Sequence, residues 1–351
     1  IQKMKSFLLT LDYELYGNGS GDVFQHMIEP TKHLLDIAEQ YNVRFTFFFE
    51  VIEYWKLKEE WTKGNTMGYK NNPIEAIEKQ LLDAYKAGHD IQLHLHPQWV
   101  DAYWDKNKWN INLKEWRLGS YERDGEYSLV NLLKKGKNTI EGLIQQIDPT
   151  YKCIALRAGG YNIQPSENIV SAMGQTELVI DSSIYPGGRE IGFLSNYDYS
   201  NIPTDLEYWQ VGNTLEQSGN KKIWELPIVA FPIIRWTKYL SIERIKSLFQ
   251  NRKSAKDAFE AKTSGIHKGK LDKVKYFFEK EYQTWDYCLF SSMMHRKYLS
   301  LIALQDRNIF VLVGHPKSFV SSGGLEYLLS ETNSCFKYQT ITEIYRNDIK
   351  E

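Results

Sequence analysis

The chain has 351 residues, of which 42% are hydrophobic and 25% are charged, and this is the composition of an ordinary globular protein. Its formal net charge of −1 gives no electrostatic reason to expect nucleic acid or an anionic membrane as a partner. No apolar stretch approaches the roughly 18 residues that a membrane-spanning helix needs. Three scattered cysteines without a CxxC pair, and a strand-like run from Ser6 in place of a signal peptide, predict a cytoplasmic protein.

Short apolar runs alternate with amphipathic segments along most of the chain. Runs rich in β-branched and aromatic residues predict strands, at residues 7–11, 43–49, 90–96, 153–156, 178–180, 223–230 and 309–313. Amphipathic spacing predicts helices at residues 30–41, 73–87, 129–147 and 166–173, several between 241 and 307, and one near 341–348. Gly88 stands where a left-handed helix cap is preferred. Strand–helix alternation of this kind is the signature of parallel β/α architecture.

Three segments interrupt the alternation. Residues 99–127 and 185–222 predict long loops rich in aromatic residues, and a lysine-rich stretch predicts a helical excursion near 251–285. No internal repeat or linker is visible, so residues 1–351 are expected to form a single catalytic domain. The aromatic side chains, beginning with Trp99, suit a sugar ligand that is part apolar and part hydroxylated. Packing of the loops onto the barrel is an equally good explanation for them.

Ionisable residues stand at the carboxyl end of nearly every predicted strand. In β/α barrels and open α/β sheets, this edge is where the loops build the active site. We therefore expect the active site to contain residues from the following set: Asp12, Glu14, Glu50, His94, His96, Arg157, Asp181, Glu225 and His315.

Two pairs in this set have the spacing of a metal site. His94 and His96 are two apart on a strand, so both rings face the same side, and neutral imidazoles are common zinc ligands. Asp12 and Glu14 have the same spacing, and two carboxylates that close repel each other unless a cation or a proton separates them. The pattern predicts a divalent metal, with one carboxylate left as a base. Structural hydrogen bonding by the histidines is the alternative.

Arg157 has two possible functions at this edge of the barrel. It could contribute to the active site, or it could form a structural salt bridge with Asp181 inside the barrel.

Five segments, in order along the chain, resemble the motifs of the polysaccharide deacetylase family of metal-dependent carbohydrate esterases. Thr10-Leu11-Asp12-Tyr13-Glu14 resembles the family's opening Thr-Phe-Asp-Asp motif, and residues 88–94 resemble the run into its histidine motif. The other three segments are Arg157-Ala158-Gly159-Gly160-Tyr161, similar to Arg-x-Pro-Tyr, then Asp181-Ser182-Ser183, and Gly314-His315. The resemblance implies a distorted (β/α) barrel of about seven parallel strands, with the active site at the C-terminal strand ends.

The resemblance also implies an activity, the hydrolysis of an acetyl group from an amino sugar or an acetylated sugar. Asp12 would be the base and His315 the acid, with Arg157 and Asp181 orienting and tuning them. The backbone near Gly160 and Tyr161 would hold the oxyanion, and Trp99 would contact the substrate. The ligands of a divalent metal, Zn²⁺ by preference, would be Glu14, His94 and His96, with Asp12 and Gln98 as alternatives.

The chain departs from the family pattern at two positions, as a divergent member would. Tyr13 stands where the family has a second Asp that ligates the metal, and Gln98 stands where it has a second histidine. Glu14 and His96 are the predicted substitutes. A metal-independent C–N amide hydrolase of the same fold and a non-catalytic carbohydrate-binding relative are the alternative functions. A cytoplasmic deacetylase would act on sugar-linked precursors of surface polysaccharides.

Overall fold

A sheet of mostly parallel strands curls into a barrel that positions the predicted site residues. The structure is a computed structural model, and it describes residues 4–241, 244–246 and 278–350. The parallel strands of the barrel are β1 (Ser6–Tyr13), β2 (Phe45–Glu50), β3 (Asp90–Leu95), β4 (Ala155–Ala158), β5 (Ile180–Asp181), β6 (Trp224–Glu225) and β7 (Ile309–Gly314). Their residues are almost all buried, as expected for strands that are covered on both faces.

The strands follow the order β6-β5-β4-β3-β2-β1-β7, and neighbours in this order run parallel. Trp209–Gln210 pairs antiparallel with β6, and Lys337–Tyr338 pairs with β1, which gives a sheet of nine strands. Single parallel bridges from Ile228 and Asp286 to β7 join the remaining side. The predicted distorted barrel of about seven parallel strands is confirmed.

Helices surround the sheet. They are α1 (Glu29–Tyr41), α2 (Val51–Thr62), α3 (Pro73–Lys86), α4 (Leu129–Ile144), α5 (Glu167–Thr176), α6 (Ser292–Ala303), α7 (Gly323–Thr332) and α8 (Ile341–Ile344). Gly88, just past α3, has φ of 91°, a conformation that side chains with Cβ rarely adopt, so its predicted role as a left-handed cap is confirmed.

Two helices, α2 and α7, were not among the predicted elements. α2 begins directly after β2, where the Glu50 side chain accepts hydrogen bonds from the backbone N–H groups of Ile52 and Glu53. The strand therefore passes into the helix without an intervening loop, and the carboxyl group of Glu50 caps the first turn of the helix.

The predicted long loops contain short antiparallel hairpins. Tyr103–Asp105 pairs with Lys108–Asn110, and Arg189–Ile191 pairs with Asn196–Asp198.

The predicted helical excursion near 251–285 is wrong at its end. Lys280–Thr284 is a strand that pairs with Ala230–Ile234, and residues 251–277 lie outside the described residues. Within the described ranges, no helix is long and apolar enough to cross a membrane.

Candidate active site

The ends of the barrel strands surround a cavity of about 400 Å³. Its lining includes Asp12 at the end of β1 and residues that directly follow β1, β3 and β7, because parallel strands place their carboxyl ends at one edge. The register brings Glu50 beside His94 and His94 beside Arg157, so the predicted residues are neighbours across three strands. The lining residues that matter below are Asp12, Glu14, His96, Trp116, Gly160, Tyr161, Asp286, His315 and Lys317.

Glu14, His94 and His96 form a buried group whose ligand atoms lie within 4.8 Å of one another. Glu14 Oε2 lies 3.4 Å from His94 Nε2 and 2.6 Å from His96 Nε2. Neither of these nitrogens has a hydrogen-bond partner with acceptable geometry among the described residues. Buried polar atoms almost always have partners, and two imidazole nitrogens beside one carboxylate oxygen are a donor set that suits a divalent metal. The predicted ligands therefore fit such an ion.

The Nδ1 atom of each histidine, on the side of the ring away from Glu14, contacts a neighbouring residue. His94 Nδ1 lies 2.9 Å from the Arg157 carbonyl oxygen, and donation to this oxygen leaves Nε2 with a free lone pair.

Gln98 contacts the far nitrogen of His96. Its side-chain nitrogen lies 2.8 Å from His96 Nδ1, and it also donates to the Gly17 carbonyl oxygen at 3.1 Å. Gln98 therefore contacts His96 on the ring nitrogen that faces away from Glu14, a position that disfavours it as the alternative ligand. Half a turn of its amide would present Oε1, which has no partner among the described residues, to a proton on His96 Nδ1.

Tyr13, at the family's second Asp position, points away from the cavity. Its hydroxyl donates to Gln80 Oε1 on α3 at 2.8 Å, and its ring packs edge-on against Phe47 of β2. Alternate residues of a strand face opposite sides, so Asp12 and Glu14 face the cavity while Tyr13 lies between the sheet and the helices.

Lys317 is a site residue that the sequence interpretation missed. Its ammonium donates to Glu14 Oε1 at 2.7 Å. Burial by itself raises the pKa of Glu14, but Lys317 and the two histidines lower it, and the pKa lies well below its ordinary value. Glu14 is therefore ionised, as a metal ligand must be. The sequence signal that could have identified Lys317 was its position just after His315, at a strand end that faces the same rim.

Asp12, Arg157 and His315 form a second group beside the first, in which Asp12 and Arg157 are buried and His315 is half-buried. Asp12 Oδ1 accepts a hydrogen bond from Arg157 Nη1 at 2.7 Å, and Oδ2 lies 3.5 Å from His315 Nε2. Burial raises the pKa of Asp12, but the Arg157 guanidinium and the nearby histidines lower it to a net value below the ordinary one. Asp12 is thus held ionised and can accept a proton.

Asp286 is the second site residue that the sequence interpretation missed, and it holds His315. Asp286 Oδ2 lies 2.9 Å from His315 Nδ1. Burial lowers the pKa of His315, but Asp286 and Asp12 raise it, so the net pKa lies above its ordinary value. A histidine whose pKa is raised in this way is better able to serve as a general acid near neutral pH.

Asp181 does not have the position that was predicted for it. It accepts hydrogen bonds from the backbone N–H and hydroxyl of Ser183, both at 2.9 Å, and it interacts with Glu225 on β6. Arg157 pairs with Asp12 and donates to Ser182, so the alternative Arg157–Asp181 salt bridge is not formed. Asp286, and not Asp181, is the carboxylate that orients His315.

Burial raises the pKa of Asp181 to about 6 and that of Glu225 well above its ordinary value. The two carboxyl groups are register neighbours on β5 and β6. A pair of this kind shares a proton, because two adjacent buried carboxylates cannot both ionise without a cation.

Gly160 and Tyr161 line the cavity in left-handed backbone conformations, with φ of 57° and 63°. A Cβ at position 160 would lie 3.1 Å from Asn162 Nδ2 and 3.3 Å from Trp116 Nε1, so the turn is close-packed. Their predicted part in holding an oxyanion stays a prediction.

Trp99 is not a substrate contact in this structure. It is only 1% exposed, packs against Trp109 at 5.2 Å between ring centroids, and is absent from the cavity wall. Trp116, from the same predicted loop, does line the cavity and meets the His96 ring edge-on at 5.7 Å. Tyr185 and Tyr197 line the opposite wall from the second predicted loop. Each predicted aromatic loop therefore contributes some residues to the core and others to the cavity.

By sequence, the chain matches no family model, and no curated protein matches it significantly. By structure, it is similar to a Mycobacterium smegmatis protein described as a polysaccharide deacetylase, with a TM-score of 0.50 and 13% identity over 99% of this chain and 90% of that one. The chain has the polysaccharide deacetylase fold.

Two other solved structures share this fold. A Parabacteroides distasonis protein described as a glycoside hydrolase/deacetylase has a TM-score of 0.52 and 10% identity, over 97% of this chain and 70% of that one. The GH57-type branching enzyme of Pyrococcus horikoshii has a TM-score of 0.51 and 10% identity, over 98% and 70%. The shared feature at these identities is the distorted β/α barrel.

Proposed function

We propose that the protein is a metal-dependent hydrolase that removes an acetyl group from an amino sugar or an acetylated sugar. The observation that supports this most is the pair of imidazole nitrogens beside Glu14 Oε2 that make no well-formed hydrogen bond among the described residues, next to Asp12, whose pKa is lowered, and His315, whose pKa is raised. The fold, shared with a protein described as a polysaccharide deacetylase, supports the substrate class.

Glu14, His94 and His96 would hold the ion, and we choose Zn²⁺ because it binds imidazole and carboxylate together with an open position. When bound, such an ion supplies a Lewis acid that polarises the acetyl carbonyl and lowers the pKa of a water. Asp12, with Oδ1 held by Arg157, would accept the proton of the attacking water through Oδ2.

His315 would donate a proton from Nε2 to the departing nitrogen or oxygen of the sugar. Asp286, at Nδ1, would hold the ring and stabilise its positive charge. The backbone N–H groups near Gly160 and Tyr161 would receive the oxyanion. The aromatic walls of the cavity, Trp116 among them, would exclude water and contact the sugar ring.

The test combines elemental analysis of the purified protein with acetate release from acetylated amino sugars. We expect about one divalent ion per chain, loss of activity with a chelator, and loss of both ion and activity in His96→Ala. His33→Ala, which removes an exposed histidine on α1, is the matched control and should keep both. A wild-type protein without metal that still releases acetate would contradict the proposal.

Metal-independent hydrolysis of a C–N amide is the second candidate, and one observation favours it. Lys317 already places a cation of the protein 2.7 Å from Glu14 Oε1, which partly neutralises the buried carboxylate without an ion. Activity that survives exhaustive chelation would select this function. A non-catalytic carbohydrate-binding protein would bind glycans and release no acetate.

The biological role belongs to the same proposal. One catalytic domain that deacetylates sugars is suited to the synthesis or modification of surface polysaccharides, with carbohydrates or sugar-linked precursors as substrates. Comparing acetate release from free, nucleotide-linked and polymeric acetylated sugars would test this, and equal turnover of acetylated compounds without a sugar would contradict it.

A further inference from the structure

Lys317 contacts Glu14 on the side opposite to the two histidines. It lies in the short turn Pro316–Ser318 that follows β7. Its ammonium donates to Glu14 Oε1 at 2.7 Å and to the Leu15 carbonyl oxygen at 2.8 Å. The Lys317 side chain is 11% exposed and that of Glu14 is 7% exposed, so the contact is shielded from water. Two oxygens of the segment after β1 therefore hold the ammonium in place.

The two oxygens of Glu14 consequently face different partners. Oε1 accepts the hydrogen bond from Lys317, whereas Oε2 lies 2.6 Å from His96 Nε2 and 3.4 Å from His94 Nε2. A carboxylate binds a metal through one oxygen or through both, and this choice changes the number of ligands. With Oε1 engaged, Glu14 presents one oxygen to the histidines. The group then offers three single-atom ligands.

We propose that Lys317 is a metal-selectivity residue, which keeps Glu14 a one-oxygen ligand and so favours Zn²⁺ over Mn²⁺. This inference rests on the proposed function. Three single-atom protein ligands with one open position are the arrangement of catalytic zinc sites. Mn²⁺ instead prefers more ligands and a larger share of oxygen. Without Lys317, Oε1 is free to bind as well, and the site gains an oxygen ligand.

Removing Lys317 also removes a positive charge beside the metal site, and this effect can be distinguished from a change in the number of ligands. Lys317 repels every divalent ion, so its removal raises the affinity for Zn²⁺ and Mn²⁺ alike. This common change cancels in the ratio of the two affinities. The ratio therefore reports how many ligand atoms the site presents.

The test uses the whole chain, freed of metal and titrated separately with Zn²⁺, Mn²⁺ and Co²⁺. The variants are Lys317→Met, Lys317→Arg and Lys137→Met. Lys137, on α4, is also a shielded lysine, 9% exposed and 3.6 Å from Glu141, and it does not line the cavity. It controls for the loss of a buried ammonium elsewhere. If Lys317→Met does not unfold cooperatively, Lys317→Ala takes its place.

We expect Lys317→Met to lower the ratio of Zn²⁺ affinity to Mn²⁺ affinity by about tenfold, the lower end of the 10–100-fold by which changing the partner of a metal ligand typically alters metal affinity. The visible absorption of bound Co²⁺ should weaken, because absorption falls as the number of ligands rises above four. Lys317→Arg and Lys137→Met should keep the wild-type ratio and spectrum.

Two results would overturn the inference, and they differ in what they say of the proposed function. If wild type binds the ions but Lys317→Met leaves the ratio and the Co²⁺ spectrum unchanged, the role of Lys317 is wrong and the proposed function stands. If wild type binds none of the three ions, the metal-dependent function is wrong, and this inference is wrong with it.

Discussion

Replacing Asp12 by Asn separates the two roles that a carboxylate can have beside a metal, that of proton acceptor and that of ligand. The amide has nearly the same shape, and its oxygen can still accept the hydrogen bond from Arg157. It carries no charge and cannot take a proton at neutral pH. Because Glu14, His94 and His96 remain, we expect Asp12→Asn to bind as much metal as wild type.

The expected loss of activity is large, and the expected loss of stability is modest. A positioned general base contributes about 10²–10⁴-fold to a rate, so acetate release by Asp12→Asn should fall by that factor. Arg157 loses an ionised acceptor at 2.7 Å and keeps a neutral one. Hydrogen bonds to charged groups contribute about 1.5–3 kcal/mol and neutral ones about 0.5–1.5 kcal/mol, so the free energy of unfolding should fall by about 1–2 kcal/mol.

Three measurements on one preparation test these expectations: acetate release, metal content and denaturant unfolding, each compared with wild type. The isosteric change leaves the fold in place, which the unfolding curve checks. Loss of the metal from Asp12→Asn would show that Asp12 is a ligand, and the assignment of Asp12 as the base would be wrong. Full activity of the variant would refute both roles.

Two further predictions follow from the electrostatics of the site. Because Asp286 raises the pKa of His315, activity should fall as the pH rises through that pKa, and Asp286→Asn should move this fall to lower pH, with about tenfold less activity at pH 8. An unshifted pH profile of kcat/KM would contradict this. Because burial raises the pKa of Asp181 to about 6, the stability that its protonated form contributes is present in acid and lost as the pH rises through that value. Between pH 5 and pH 8, the melting temperature of Asp181→Asn should therefore fall less than that of wild type, and the variant should keep its activity. A pH dependence of melting equal to that of wild type would count against the shared proton.

The pattern of strand ends predicted much of the site. Asp12, Glu14, His94 and His96 could be found because strand periodicity fixes the side that each residue faces, and because parallel strands place their carboxyl ends together. The structure brings Asp12, Glu14, His96 and His315 to one cavity, and it places His94 against Glu14 behind the cavity wall. Local sequence was enough to predict these site residues, because the regular geometry of a strand determines which side chains face the cavity.

Other parts of the site depend on contacts that no local pattern specifies. Asp286 reaches His315 from a segment joined to β7 by a single bridge, without the length or alternation of a strand. Lys317 lies in a short turn, and of the two tryptophans Trp99 and Trp116 only Trp116 lines the cavity. The predicted position of Asp181 was wrong because β5 is only two residues long, so strand periodicity does not fix the direction of its side chain. Arg157 instead donates to the carbonyl oxygen of Ser182, the residue that follows the strand.

The orientation of Tyr13 has a consequence for engineering the protein. Restoring the family's second Asp by Tyr13→Asp would add no ligand, because this side chain leaves β1 toward α3 and not toward the cavity. The substitution would instead insert a carboxylate among apolar rings, remove the bond to Gln80 and leave a void in the layer between sheet and helices. In this chain, a consensus repair of the motif would weaken the scaffold, and under the proposed function Glu14, the next residue on the cavity side, supplies the carboxylate ligand.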